Sequence, residues 1–566
     1  MAPILVGLAL LAGQAGLPLW ASARPPQEVL REQVEEIRAS GTASLGGGTI
    51  TPSRALASLY EQRGFNPIWT DPSSTTRLIE AIRSAHDDGL EPTDYHLARI
   101  ERLLQGGAAP SGSARAELDL LQTDALVRLA NDLYFGRLEP ESLDPGWNLA
   151  REGTEPGLEQ ALSRALNEGE IGALLSEARP RHPLYAQLRD ALTRYRAIAA
   201  TGGGWPAIPD GPKLQRGDRG ERVIALRRRL AASGEGPPLP TGGASHFDRP
   251  LEDALKDYQS RNGLSPDGVV GATTLEALNV PVDDRVEQIR ANLERARWVL
   301  REVHGDFVTV DIAGFRAAYI REGEVVWESR VQVGTPFRQT PSFKSEITYL
   351  VLNPTWTVPP TILAKDILPE ARRDPGEIQR RGLKVLDREG HPVDPGSVDW
   401  SRYKAANFPY LLRQDAGPKN ALGRMKFMFP NRYHIYLHDT PKKSLFEKPE
   451  RAFSSGCIRI EKPLELAELL MEGDRRWGRE RLTAAIGARA TRTVFLPRPV
   501  PILLLYWTVS FDEAGRIGFK KDIYERDRAV IEALGQDAPV PGTAERVGSP
   551  TAGPADLTWL SRPTRP

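Results

Sequence analysis

The sequence predicts a multi-domain α+β protein, with helical units first and a β-rich unit after them. Three observations predict it. In LDLLQTDALVRLANDLYFGRLEP, Leu118, Leu121, Ala125, Leu126, Leu129 and Leu133 recur at helix spacing. Between 214 and 280, three short amphipathic segments follow one another across glycine-rich turns. From about 306 the period falls to two, in FVTVDI, AAYI, VVWESRVQV and ITYLVL. A chain of 566 residues exceeds one ordinary core, so three or four domains are expected.

The elements follow in order. The N-terminal run MAPILVGLALLAGQAGLPLWASA ends in the small-x-small pattern Ala21-Ser22-Ala23, which predicts a signal peptide over 1–23 and export. No Lys or Arg precedes Arg24, so an uncleaved anchor is the alternative. No other segment is apolar and long enough to span a bilayer. Residues 24–50, polar and ending in SLGGGT, read as a flexible linker. A helical domain is expected over 51–200, with Gly136 stopping the helix that contains Leu118 to Leu133 and Pro140 following. TGGGWPAIPDGP at 201–212 is a linker by composition.

In the unit 214–280, Val223, Leu226 and Leu230 share one helix face, and Gly234 ends that helix. Leu251, Ala254, Leu255 and Tyr258 share another, and ATTLEALN follows the turn SPDGVVG. The β-rich domain is expected over 300–530. Within it, proline and charge dominate 359–430 with little strand pattern. Strand signal returns in YHIYLH (433–438) and again near 501–519. Residues 538–566 form a disordered tail by composition.

Lys+Arg and Asp+Glu are both 74, so no global charge favours nucleic acid or an anionic membrane. Cys457, in AFSSGCIRI, is the only cysteine, so no disulfide can close within the chain. In an oxidising compartment such a thiol is a candidate reactive group. The alternation of YHIYLH predicts that His434, Tyr436 and His438 share a face. His438 lies nineteen residues before Cys457. A nearby imidazole is expected to lower the thiol's pKa and carry its proton. Gly456 lets the backbone turn tightly and aims the Cys457 N–H at a developing oxyanion. His434, His438 and Cys457 are also three candidate zinc ligands, but neither a His-Glu-x-x-His helix nor a compact ligand cluster accompanies them. Neither a metal nor a cofactor is expected.

YLHDTP…RAFSSGCIRI resembles the active-site motif of the L,D-transpeptidases, which cross-link peptidoglycan through a cysteine. The match falls on His438, Ser454, Ser455, Gly456, Cys457, Ile458 and Arg459. Ser455 stands where shorter family members have histidine, and Arg459 where asparagine is frequent. VGTPFRQTPSF, NPTWTVPPTILAKDILP, GRMKFMFP and DDRVEQIRANLERARW are similar to the long, multi-domain branch. LQRGDRGERVIALRRRL with ALKDYQSRNGLSPDGVVGATTLEALN resembles the three-helix peptidoglycan-binding domain of cell-wall enzymes. The helical region before it resembles that branch's scaffold domain. The resemblance spans about 50–530.

It implies Cys457 as nucleophile and His438 as general base, then acid. It further implies an oxyanion held by the Cys457 N–H with the Tyr436 hydroxyl, and a pocket shaped by Ser454, Ser455, Gly456 and Arg459. Trp356 is a pocket wall or a core residue, and 361–430 a lid. The implied reaction releases D-alanine, passes through a thioester and forms 3–3 cross-links. L,D-carboxypeptidase activity, lipoprotein attachment, a secreted cysteine peptidase and a non-catalytic wall-binding protein are the alternatives. The implied partners are peptidoglycan stem peptides and glycan strands in the periplasm, with carbapenems as inhibitors.

Overall fold

The computed structural model describes residues 24–536, except 41–42, 46–47, 51–53, 106–111, 145–146, 150–154, 202–203, 237–243, 302 and 304. The expected signal peptide (1–23) and tail (538–566) lie outside the described residues.

Residues 26–40, within the expected flexible linker, depart from it. Pro26–Ser40 is a helix that buries Val29, Leu30, Val34 and Ile37 against Leu56, Tyr60, Ala116 and Leu120. Those four residues carry helix spacing, but the charged remainder of PQEVLREQVEEIRAS obscures it. The helical domain is organised around Gly112–Phe135, whose Leu121, Ala125, Leu126, Leu129 and Leu133 are fully buried.

The helices Glu221–Ala232, Arg249–Arg261 and Ala272–Asn279 form the next unit. Its core contains the predicted Val223, Leu226, Leu230, Leu251, Leu255 and Tyr258. The linker before it is pinned at Trp205, over whose ring Arg229 stacks at 3.6 Å. On the other side, the Phe519 N–H donates to the Asn262 side chain at 2.9 Å, and Arg516 pairs with Asp257. Only Val280 and Pro281 separate this unit from the next helix, Val282–Val299.

That helix is buried along nearly its whole length. Several of its charges are paired, within the helix or with neighbouring elements. Glu294 and Arg297 pair with both side chains fully buried. Glu294 also accepts from the Leu138 N–H at 2.7 Å and the Trp298 indole at 3.0 Å. The pair thereby fastens the turn after the longest helix to the β domain's entry helix.

The β domain is a nine-stranded sheet. From one edge the strands run Ala452–Ser454, Glu324–Gly334, Ile458–Ile460, Leu437–His438, Met425–Met428, Phe343–Leu352, Arg492–Leu505, Phe307–Asp311 and Arg316–Arg321. Arg316–Arg321 pairs back onto Glu324–Gly334, so the sheet curls on itself. Valine, isoleucine, leucine and phenylalanine from alternate positions fill its interior.

Residues 356–414 form a separate inserted unit rather than an unstructured stretch. Its four-stranded sheet runs Trp356–Thr357, Leu411–Gln414, Lys384–Leu386, Pro392–Val393. Ile367, Leu368, Ala371, Ile378, Val385, Trp400 and Leu412 give it a core of its own. Met425–Met428 belongs to the main sheet, so the insert ends before the expected 430. Short strands among prolines leave too little alternation to read from sequence.

YHIYLH also differs. Only Leu437–His438 is strand; His434 has φ +55°, and the Asn431 side chain holds the turn through the N–H groups of Tyr433 and Ile435. His434 therefore does not share the strand face of His438. The strand expected near 501 begins at Arg492, and Val509–Phe511 with Ile517–Phe519 is a separate hairpin.

Candidate active site

Strand pairing brings the predicted pair together. Leu437–His438 lies parallel to Ile458–Ile460, with Leu437 opposite Ile458 and His438 opposite Arg459. Lys426 pairs with His438 from the other side. Because side chains alternate, Phe427, Leu437 and Ile458 point into the core. Lys426, His438 and Arg459 share the opposite face, and Cys457, two residues before Arg459, opens onto it. Lys426 was not among the residues singled out; its partner strand is what gives it a place.

The loop before the thiol is tightly specified. Gly456 has φ +116°, which side chains disfavour. The Ser454 hydroxyl donates to the Cys457 carbonyl at 2.5 Å and accepts from the Gly456 N–H at 3.0 Å. The buried Thr340 hydroxyl donates to the Gly456 carbonyl at 2.8 Å and accepts from the Gly334 N–H at 2.9 Å. A Cβ on Gly334 would lie 2.0 Å from the Arg338 carbonyl, so only glycine fits this approach. The Thr335 N–H donates to the Ser454 carbonyl at 3.0 Å. Segment 334–340 is thus the floor under the loop 454–457.

His438 is buried and its Nδ1 lies 2.5 Å from the Asp439 carbonyl. A carbonyl only accepts, so Nδ1 carries the proton and Nε2 is left basic. Asp439 is itself fixed, accepting from the Arg424 N–H at 2.8 Å and the Lys443 ammonium at 2.6 Å. Burial, then the nearby Arg459 charge, pushes the His438 pKa down to about 3.

Cys457 keeps partial solvent access, and its Sγ lies 3.8 Å from the His434 carbonyl. Packing around the sulfur pushes the thiol up, which reverses the expected lowering. Opposing that, hydrogen bonds from the Tyr436 backbone and hydroxyl and the charges of Arg459 and Lys426 favour the thiolate. Burial wins. Burial thus disfavours both the thiolate and the imidazolium at rest.

The remaining predicted residues fall in three places. Arg459 is held through Nη1 by Gln332 at 3.1 Å beside the thiol. Ser455 is exposed and accepts from Arg338 at 2.9 Å. Trp356 sits in the first strand of the insert and packs against that unit's core. Arg338 and Thr340 were legible only as part of VGTPFRQTPSF; their contacts are long-range in sequence. Among the described residues, no group of three or more His, Cys, Asp and Glu side chains could hold a metal ion.

Comparison with known proteins places three families along the chain. Residues 305–479, which contain His438 and Cys457, match the L,D-transpeptidase catalytic domain. Residues 219–278 match a peptidoglycan-binding domain, and 54–192 match the scaffold domain. A Haemophilus influenzae protein, provisionally named as an L,D-transpeptidase, is 36% identical over 244 residues. The match covers 43% of this chain and 49% of that protein, so the chain spans about half the length of the relative. An L,D-transpeptidase structure from Xylanimonas cellulosilytica is 16% identical with a TM-score of 0.18, over 52% of this chain and 99% of its own. A fused zinc-dependent amidase/peptidase with a peptidoglycan-binding domain from Clostridium acetobutylicum is 11% identical with a TM-score of 0.15, over 52% and 100%. At such TM-scores the two structural likenesses carry no argument.

Proposed function

We propose that the protein acts as an L,D-transpeptidase, the family whose catalytic domain residues 305–479 match, and that it cross-links peptidoglycan stem peptides through a Cys457 thioester. The observation that carries the proposal is the strand pairing that sets His438 opposite Arg459, two residues from Cys457, with His438 Nδ1 engaged and Nε2 left free to accept. A thiol that rests protonated needs a base at the moment of attack, and a neutral imidazole is one.

His438 Nε2 takes the thiol proton as sulfur attacks the carbonyl carbon of the third stem residue. The oxyanion is held by the Cys457 N–H with the Tyr436 hydroxyl. As the tetrahedral centre collapses, the carbon–nitrogen bond breaks and His438 returns the proton to the departing D-alanine amine. The side-chain amine of a second stem then attacks the thioester, giving the 3–3 link and restoring the thiol. Lys426 and Arg459 supply positive charge beside the sulfur and disfavour a protonated His438.

The peptidoglycan-binding unit supports a wall substrate over ordinary protein. We place the protein in the periplasm on the same ground. Mass analysis of products from purified tetrapeptide muropeptides tests the proposal. Dimers joined between third residues, with free D-alanine, are expected from the full chain and absent with Cys457→Ser. Tripeptides alone would assign it as an L,D-carboxypeptidase instead.

A further inference from the structure

We infer that Arg338 is the receptor for a carboxylate of the stem peptide, and that Asp366 of the inserted unit occupies the receptor until substrate displaces it. The inference rests on the proposed reading of the site. Arg338 meets Asp366 fork to fork, with Nη1 to Oδ2 at 2.6 Å and Nη2 to Oδ1 at 2.8 Å. The same Nη1 donates to the Ser455 hydroxyl at 2.9 Å. A carboxylate in the place of Asp366 therefore lies against Ser455, two residues from the nucleophile. The guanidinium edge matches a carboxylate geometrically, which is why arginine rather than lysine serves such sites.

The fork cannot drift. It stands on the turn Thr335–Arg338, closed by the Arg338 N–H to the Thr335 carbonyl at 2.9 Å. That turn is tied to the nucleophile loop through Ser454, and Gly334 makes room beneath it. The receptor and Cys457 thus share one scaffold.

Asp366 is placed differently. It belongs to Leu363–Ile367, the one π-helical turn among the described residues. Such turns are rare and recur at functional sites. Its side chain and that of Arg338 remain partly open to solvent, 34% and 23% exposed. An incoming carboxylate can reach the pair. Beside it Phe337 is 94% exposed, an apolar surface next to a charged fork. A purely structural clamp between two units calls for neither feature.

Binding is read with the full chain carrying Cys457→Ser, so that no turnover intervenes. The probes are a tetrapeptide stem, the same stem amidated at its terminal D-alanine, and the stem amidated on the diaminopimelate side-chain carboxyl. Arg338→Gln is expected to weaken the unmodified stem about tenfold, as for a lost charged hydrogen-bond pair. One amidated stem should lose as much with the receptor intact, and nothing further in Arg338→Gln; which one identifies the carboxylate. Asp366→Asn, which removes the competing charge and keeps the shape, should tighten the unmodified stem. Equal binding by Arg338→Gln, or indifference to both amidations, would overturn the assignment. So would weaker binding in Asp366→Asn, which marks a clamp. D-alanine release by the unsubstituted chain is followed separately. Binding that behaves as expected without any release would leave the receptor standing and remove the transpeptidase reading.

Discussion

Lys426 and Arg459 stand on opposite sides of His438, each paired with it from a neighbouring strand. Both charges lower the thiol and both disfavour an imidazolium. Lys426→Met should therefore push the thiol further up while leaving the fold intact, since Lys426 lies on the site face of its strand. Alkylation of Cys457 by iodoacetamide at pH 8 should slow roughly threefold or more. An unchanged rate would show that Lys426 does not act on the sulfur.

The pH profile distinguishes a resting thiol from a preformed ion pair. With the thiol raised, alkylation should keep climbing through the ordinary thiol value of about 8.5, with no plateau near neutrality. His438 at about 3 stays neutral across the working range, so its protonation adds no loss of acylation near pH 6. Linkage gives the companion sign. A depressed folded pKa stabilises above the unfolded value of about 6.5 and loses that contribution as pH falls toward 3. His438→Gln should flatten that part of the stability curve, measured by denaturant unfolding between pH 7 and 4.

Carbapenem labelling tests the nucleophile directly. One drug mass should appear on the intact chain, on its single cysteine, and vanish in Cys457→Ser. His438→Ala should slow the labelling by about 100-fold or more at neutral pH, without unfolding the protein. Labelling unaffected by His438→Ala would remove the general-base role.

Stability should hinge on a residue far from the chemistry. Glu294 accepts from Arg297, Trp298 and the Leu138 backbone within a fully buried cluster. Glu294→Ala strands the Arg297 charge and should cost about 3–5 kcal/mol. Limited proteolysis should then cut first near Gly136, where the helical domain meets the helix 282–299. Glu294→Gln should cost less.

The order of domains was legible because each carries a strong local period. Leu121 to Leu133 and the Val223-to-Tyr258 set form the predicted cores. The motif around Cys457 was legible because glycine and small residues crowd one short string. What escaped was set by partners distant in sequence. Thr340 reaches Gly456, and Arg338 reaches Asp366, only after the sheet forms. The rise in the thiol's pKa depends on how closely the folded chain packs around it, which no spacing reports. The helix 282–299 is rich in charge yet buried, with Glu294 paired to Arg297 in the helix and Arg295 to Asp527 outside it. In YHIYLH, alternation was overridden by a side-chain-held turn at Asn431.

The peptidoglycan-binding unit is not on a tether. Trp205 is clamped on one side, Asn262 and Asp257 meet the β domain on the other, and a two-residue joint leads into a buried helix. A flexible linker would let the active site sweep a volume and raise the local concentration of every stem within reach. A stiff arm does the opposite. Were the module seated on a glycan strand, as proposed, Cys457 would stand at one distance and one heading from it, like a tool on a fixed gantry. On the proposed activity, stems elsewhere along the strand would be out of range until the whole protein lets go and seats again, so the spacing of its products would follow the geometry of the arm rather than the abundance of stems.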